Sequence, residues 1–262
     1  MEKYMLLVVD AGNSNIHVGC FEEDKLFCRF ALGVSSDRTS DEYAWILRAF
    51  LSDNGCNAKV IDGVMIGSVV PSMTDKLEKA IRRITSAKIL SVGPGVKTGF
   101  PIKLDNPAEL GADLAANAAG AIQTVGFPVI IADCGTATTV MAIDREGAYI
   151  GGCIMPGVGM GLDALNGAEL LPEISVGKSV SPLGKNTKDC MRSGVIRGGA
   201  MSVCGFTELY RKNPAVGKQA PLVITGGYAE WLLPYLPENA RHIPLLTLQG
   251  LCAIWHLNQK KN

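Results

Sequence analysis

The stretch "LLVVDAGNSN" at residues 6–15 and the stretch "VIIADCGTAT" at 129–138 have the same shape. Each is an apolar run that ends in an aspartate, a small residue, a glycine and then hydroxyl or amide side chains. An aspartate at the C-terminal end of a buried strand, followed at once by a glycine turn, aims its carboxylate into the crevice where α/β sheets bind ligands. Glycine lets the backbone approach a phosphate, at Gly12 in the first phrase and Gly135 in the second. The side chains that follow, Asn13, Ser14 and Asn15 or Thr136, Thr138 and Thr139, offer donors to phosphate oxygens. A third phrase, "VITGG" at 223–227, places Gly226 and Gly227 after another apolar strand and leaves room for a nucleotide against the backbone. One such phrase alone is ordinary turn chemistry. Three in this order predict that Asp10 and Asp133 face one nucleotide from the two halves of a duplicated fold, with hard oxygen ligands for Mg²⁺ or another cation. "GVGMG" at 157–161 departs from the dinucleotide spacing and reads as a glycine-rich turn opening a helix.

The segments between these phrases have a consistent order. "YMLLVVDAG" reads as a strand, and "NIHVGCFEEDKLFCRFAL" alternates around the acidic turn "EEDK" as a hairpin. "TSDEYAWILRAFLSDNG" reads as a helix with Ser40 or Asp41 as N-cap, apolar positions at 43, 46, 47, 50 and 51, and Gly55 as its stop. A strand at "VIDGVMIGSVVP", a helix at "SMTDKLEKAIRRITS" and a strand at "AKILSVG" follow. The order β, β, β, α, β, α, β is that of a ribonuclease H-like half, a mixed sheet with helices on both faces. From "FPVIIADCG" onward the outline repeats, with helical segments near 158–170 and 187–212 and a late strand at "APLVITGG". The expected class is therefore α/β, a duplicated ribonuclease H-like (actin-like ATPase) fold of two mixed-sheet halves with nucleotide in the cleft. The helix in "NPAELGADLAANAAGAIQTVG" puts the boundary near residue 120, giving halves at 1–120 and 121–262.

Composition narrows the partners. Lys plus Arg equals Asp plus Glu at 25 each, so no global field favours nucleic acid or an anionic membrane, and the basic residues form no run before the "QKKN" tail. Eight cysteines without a CxxC pair read as reduced thiols, several of them buried. The first apolar stretch ends at Asp10, too short for a signal-peptide core, and no apolar run approaches the roughly 20 residues that span a bilayer, so the expectation is a cytoplasmic protein. His17 lies close to the first phosphate phrase. His242 and His256 lack a neighbouring ligand pattern for metal, and Trp45, Trp231 and Trp255 sit in helical patterns as core residues. The glycine, alanine and serine run from 194 to 205 suits close helix packing, as at a dimer interface.

Taken together, the motifs resemble those of the type III pantothenate kinases, within the acetate kinase, sugar kinase, Hsp70 and actin superfamily. "DAGNSN" resembles that family's first phosphate loop, "RTSDEY" its following helix start and "GSVVP" its next strand. "GPGVKTGF" and "NPAELGAD" resemble its substrate and base segment, "DCGTATT" its second phosphate loop and "GGCIMPG" the strand after it. "GKNT", "MRSG", "ITGG" and "LTLQGL" complete the set. The resemblance implies a homodimer that uses ATP to phosphorylate the primary hydroxyl of pantothenate, opening coenzyme A synthesis. It implies Asp113 as general base, Asp10 facing the Mg²⁺-bound phosphates and Asp133 holding a monovalent cation, K⁺ or NH₄⁺. Thr136 would contact ATP, with Gly12, Asn13, Ser14, Asn15, His17, Gly135, Thr138, Gly226 and Gly227 around the nucleotide. Leu104, Gly111, Ala112, Asp113, Leu114 and Thr187 would line the pantothenate, Thr187 from across the dimer interface. A carboxylate base and cations suit a loose phosphoryl-transfer transition state.

The pattern has three departures. The family motif reads Gly-Ala-Asp-Arg, and Leu114 stands in place of the arginine that helps hold the substrate. An isobutyl chain does not replace a guanidinium fork, and loss of such a bond costs a few kcal/mol, or about two orders of magnitude in affinity or rate. Leu104 stands where many members have an aromatic residue, and Cys204 where the family often has Asp-Gly. Arg38, Lys97 and Arg192 are the candidate replacement cations. Leu114 leaves two alternatives beside the pantothenate kinase: a kinase for another small hydroxyl compound, and a nucleotide-binding regulator without turnover. Retention of Asp10, Asp113 and Asp133 counts against the regulator, in which a base has no task.

Overall fold

The computed structural model describes residues 4–177 and 180–259, so Lys260, Lys261 and Asn262 of the basic tail lie outside the described residues. The chain forms two compact units. The first comprises residues up to 99, 106–123 and the chain from 246 onward; the second comprises 100–105 and 124–245. The cut after residue 123 falls close to the boundary expected near 120. The C-terminal helix, however, packs with the first unit and not with the half that precedes it in sequence.

In the first unit, β1 (Met5–Ala11), β2 (Asn15–Glu22), β3 (Lys25–Gly33), β4 (Ile61–Ser68) and β5 (Lys88–Ser91) form one sheet in the order β3-β2-β1-β4-β5. β1 runs antiparallel to β2 and parallel to β4, so the sheet is mixed, as expected. Helices α1 (Ser40–Asp53) and α2 (Pro71–Arg82) cover one face, where Tyr43, Leu47, Leu51, Leu77 and Ile81 pack on Leu7, Val9 and Ala11. The N-cap of α1 is Thr39, not Ser40 or Asp41. Its hydroxyl accepts from the Glu42 N–H at 3.3 Å, and the Glu42 carboxylate accepts from the Thr39 N–H at 2.7 Å. This reciprocal box needs Ser or Thr three places before Glu, a spacing that Thr39 satisfies. Gly55, with φ of 73°, follows the helix end as expected.

The other face of the first sheet carries α8 (Leu246–Gln259). A side chain at Gly63 would collide with the Trp255 ring, and one at Gly67 would lie 2.9 Å from Leu251. Those glycines pair with Leu6 and Asp10 of β1. By alternation, Leu6, Val8 and Asp10 therefore face α8. Helix α3 (Ala112–Val125) crosses α8 with backbone nearly on backbone: a Cβ on Gly120 would meet the Leu246 carbonyl at 2.6 Å, and one on Gly250 would overlap the Ala116 carbonyl. Trp255 is 1% exposed, and Trp231 packs against the second core as a partly buried residue. Trp45 corrects the expectation, since it is 71% exposed. Tyr43, Ala44, Leu47 and Leu51 take the buried stripe of α1, which leaves position 45 on the opposite face.

In the second unit, β6 (Val129–Cys134), β7 (Ala137–Ile143), β8 (Tyr149–Pro156), β9 (Leu222–Thr225) and β10 (Arg241–His242) form a sheet in the order β10-β9-β6-β7-β8. Read from the other edge, this is the strand order of the first sheet, so the duplication expected from the two aspartate phrases is present. α4 (Val158–Asn166), α5 (Thr187–Arg192), α6 (Gly198–Arg211) and α7 (Ala229–Leu232) accompany it. A π-helical turn, Ser193–Arg197, joins α5 to α6. Ile130, Ala132 and Cys134 of β6 face this helical layer. "GVGMG" opens α4 with Gly157 as N-cap, as the spacing predicts. No helix among the described residues is long and apolar enough to cross a membrane.

Candidate active site

In the first unit, Asp10 sits one residue from the end of β1, opposite His17 of β2. Directly opposed residues share a face, so both side chains lie on the α8 side of the sheet. The turn that follows is closed by the Gly12 N–H donating to the Asn15 carbonyl at 3.0 Å, and a Cβ on Gly12 would crowd that carbonyl at 3.3 Å. Asn13, Ser14 and Asn15 stand exposed at the turn, and the Ser14 carbonyl accepts from the Val34 N–H at 2.9 Å. Solvent reaches His17, yet desolvation of its ring and then the Arg29 charge hold its pKa below the ordinary imidazole value.

Asp113 lies in the first turn of α3, on the helix that packs on α8. Its Oδ1 accepts from the Leu114 N–H at 2.8 Å. Gly111 makes room for the carboxylate, because a Cβ there would stand 2.6 Å from Asp113 Oδ1. Burial is the largest influence on this carboxyl and raises its pKa above the usual aspartate range, against the lowering effect of the Leu114 N–H. Ala112 is buried and Leu114 half-buried beside it. The helix thus presents a desolvated carboxylate near its positive end, a combination suited to a general base. Of the candidate cations, Arg38 donates to the Gly33 carbonyl at 2.9 Å, and Arg192 donates to the Ser175 carbonyl at 3.0 Å and pairs with Asp189 at 3.5 Å. Arg192 is thus a half-buried, bonded group and not a solvated surface charge. The Lys97 N–H is held by Asn258 Oδ1 at 3.0 Å.

In the second unit, Asp133 pairs with Thr139 on β7 and with Thr225 on β9. Gly226, with φ of 95°, lies against it: a Cβ there would meet Asp133 Oδ1 and the Cys134 carbonyl carbon, both at 2.5 Å. The Tyr228 N–H donates to the Cys134 carbonyl at 2.8 Å, so the "ITGG" turn is strapped onto the "DCG" turn. Gly157 packs on the same turn, since a Cβ there would stand 2.5 Å from the Gly135 carbonyl. Thr136 and Gly227 are exposed at the turn tips. Thr138 is buried opposite Cys134, on the face that looks into the core, so alternation turns it away from Asp133.

Thr139 instead shares the Asp133 face. Its Oγ1 is buried without a hydrogen-bond partner. Such an orphaned oxygen beside a carboxylate fits a cation. The residue pattern offers Thr139 as one donor among several and does not single it out; its spacing from Asp133 across the turn is the signal. The Gln249 Oε1 of α8 is the other buried orphan among the described residues. Nothing in the residue pattern marks it. Leu104 belongs to the second unit, near Gly151, while Gly111–Leu114 belong to the first. Thr187 is exposed as the first residue of α5, capped by Asn186, whose Oδ1 accepts from the Asp189 N–H at 3.0 Å. Gly194, Gly198 and Gly205 meet open space where a side chain would stand.

Gly226→Ala is expected to lower nucleotide affinity by about tenfold and to destabilise the fold, since a non-glycine residue held at such a φ costs about 1–3 kcal/mol before it collides with Asp133. Thermal unfolding with and without ATP checks this. An unchanged Tm together with unchanged ATP affinity would overturn the packing of "ITGG" on "DCG".

Two sheets of matching strand order, each with an aspartate and a glycine turn at the end of a central strand, define the fold of the actin-like ATPases and sugar kinases. Among solved structures, a protein described as a Baf-family transcriptional activator from Campylobacter jejuni aligns with a TM-score of 0.61 at 19% identity, over 96% of this chain and 98% of that one. The activator of the 2-hydroxyisocaproyl-CoA dehydratase from Clostridium difficile aligns at 0.54 and 13% identity, over 98% of each. The sequence model of the type III pantothenate kinase family matches residues 6–208. The type III pantothenate kinase of Moorella thermoacetica is 39% identical over 255 residues, 97% of this chain and 100% of that protein. The chain belongs to the type III pantothenate kinase family.

Proposed function

We propose that this chain transfers the γ-phosphoryl group of ATP to the primary hydroxyl of pantothenate, giving 4′-phosphopantothenate at the opening of coenzyme A synthesis. The observation that carries the reading is the Asp113 carboxylate, lodged in the space Gly111 leaves and raised in pKa by burial, in a chain matching the family over its length. Asp113 accepts the hydroxyl proton as the new oxygen–phosphorus bond forms and the bond to the ADP oxygen breaks. The turn of Asp10, Gly12, Asn13, Ser14 and Asn15, with His17, binds phosphates. So does the turn of Gly135 and Thr136, with Gly226 and Gly227 admitting the nucleotide.

Asp10 would face the Mg²⁺-bound phosphates. Asp133 would hold K⁺ or NH₄⁺, a role supported by the orphaned Thr139 oxygen on its face. Bound cations supply neutralisation of the phosphoryl oxygens. Gly111, Ala112, Leu114, Leu104 and Thr187 contact pantothenate, and the active form is a homodimer in which Thr187 serves the partner's substrate. Small residues of the 194–205 run that meet open space within the chain support a close helix contact in that dimer.

The test is phosphate transfer from ATP to pantothenate with Mg²⁺ and K⁺ or NH₄⁺, comparing the wild type with Leu114→Arg. Wild-type turnover is expected, with a lower KM for pantothenate in Leu114→Arg by about tenfold or more, the gain of a charge-assisted bond. A silent wild type restored by Leu114→Arg would mean that its own substrate is another hydroxyl compound. Silence in both with ATP still bound would make it a nucleotide-binding regulator.

A further inference from the structure

We propose that Asp24, Cys252 and His256 form a structural site for one divalent ion of the Zn²⁺ class, which clamps the β2–β3 turn to α8. Cys252 and His256 are one helical turn apart on α8, and Asp24 comes from the turn between β2 and β3. Each offers one ligand atom, and the three atoms lie within 4.8 Å of one another. His256 Nε2 is 3.3 Å from Asp24 Oδ1 and 3.5 Å from Cys252 Sγ, and Sγ is 4.0 Å from Asp24 Oδ1. Zn²⁺ bonds of about 2.3 Å to sulfur and about 2.0–2.1 Å to nitrogen and oxygen, set at tetrahedral angles, place nitrogen and oxygen about 3.3 Å apart and sulfur about 3.5 Å from either. Two of the three edges match, and the third needs Asp24, on an exposed turn, to close by about half an ångström.

This corrects the expectation that His256 has no ligand neighbour: the Cys252 thiol stands four residues before it, on the same helix face. The donor set of thiolate, imidazole and carboxylate suits Zn²⁺ and disfavours Mg²⁺ or Ca²⁺. The backbone beside Asp24 is anchored, while its side chain is exposed. Glu23 adopts a left-handed φ of 54°, its N–H donates to the Tyr4 carbonyl at 3.1 Å, and its own carbonyl accepts from the Cys252 thiol at 3.7 Å. The Tyr4 hydroxyl in turn accepts from Trp255 Nε1 at 2.8 Å. As the sulfur–metal bond forms, the thiol proton leaves to solvent.

The cluster sits by the start of β1 at Met5, whereas Asp10 is near its far end, about 17 Å further along the strand at roughly 3.3 Å per residue. The site therefore tethers the C-terminal helix without taking part in phosphoryl transfer.

Reduced, chelator-treated protein titrated with Co²⁺ is expected to bind one equivalent. It should develop a thiolate-to-cobalt band in the near ultraviolet and the visible bands of a tetrahedral ion. Cys252→Ser should abolish the ultraviolet band, while Cys190→Ser, at an exposed thiol, should leave it unchanged. Asp24→Asn, at an exposed position that does not enter the core, should weaken binding at least about tenfold, the loss that removal of even an outer partner brings. Zn²⁺ should raise the Tm of the wild type but not of Cys252→Ser. No thiolate band in the wild type, a band that persists in folded Cys252→Ser, or undiminished affinity in Asp24→Asn would each overturn the site.

Discussion

Asp113→Asn is expected to lower kcat by about two to four orders of magnitude, the usual contribution of a positioned general base, while leaving ATP affinity unchanged. The amide keeps the size of the carboxylate and fits the space beside Gly111, but it cannot accept the proton of the substrate hydroxyl. The pH profile separates this role from a structural one. Burial, opposed by the Leu114 N–H, raises the Asp113 pKa above the ordinary carboxylate value, so activity should fall on the acid side of an inflection that lies above that value. In the Asp113→Asn variant the same limb should vanish from whatever turnover remains.

Stability carries the opposite sign. A carboxyl that holds its proton more tightly in the folded chain than in the unfolded one makes the fold lose stability as pH rises from the ordinary pKa through the raised one. Asp113→Asn should remove that loss, and should be at least as stable as the wild type near neutrality. A variant that is inactive because it unfolds would show the reverse, and a variant with wild-type kcat would remove Asp113 from the chemistry.

Gly250→Ala is expected to cost about 3 kcal/mol, the upper range for an overpacked site, which for a chain of this length lowers Tm by roughly 6–12 °C. The cause is the crossing of α3 on α8. A methyl group at position 250 would overlap the Ala116 carbonyl, and Gly120 on the other helix would meet the Leu246 carbonyl in the same way. Backbone atoms cannot rotate aside as a side-chain tip can, so the helices must separate. Because α3 carries Asp113, the variant should also lose activity when assayed well below its Tm. Ser52→Ala on α1 is the control: that side chain is exposed, and alanine should hold or slightly raise stability through helix propensity. Equal Tm values for Gly250→Ala and the wild type would mean that the helices do not cross this closely.

Much of the architecture was legible in the residues because it rests on local periodicity. The alternation around "EEDK" set a hairpin, the 3.6-residue pattern of "SMTDKLEKAIRR" set a helix, and two aspartate phrases set the duplication. Where several side chains compete for one role, local pattern was less decisive. Thr39 caps α1 in place of Ser40 or Asp41 because only it stands three residues before Glu42. Trp45 is exposed although it is among the most apolar residues of its helix, since a helix buries a single stripe and Tyr43, Ala44, Leu47 and Leu51 fill it.

The two aspartate–glycine turns, the carboxylate at the head of α3 and the family to which the chain belongs were set by the residues alone, because those depend on residue type and on spacing of a few positions. Long-range packing decided that the last helix returns to the first sheet, that Gly226 presses on Asp133, and that Asp24 meets Cys252 and His256. Each of these joins residues far apart in the chain. Such pairings are set by which surfaces bury one another, and no window of neighbouring residues contains that information.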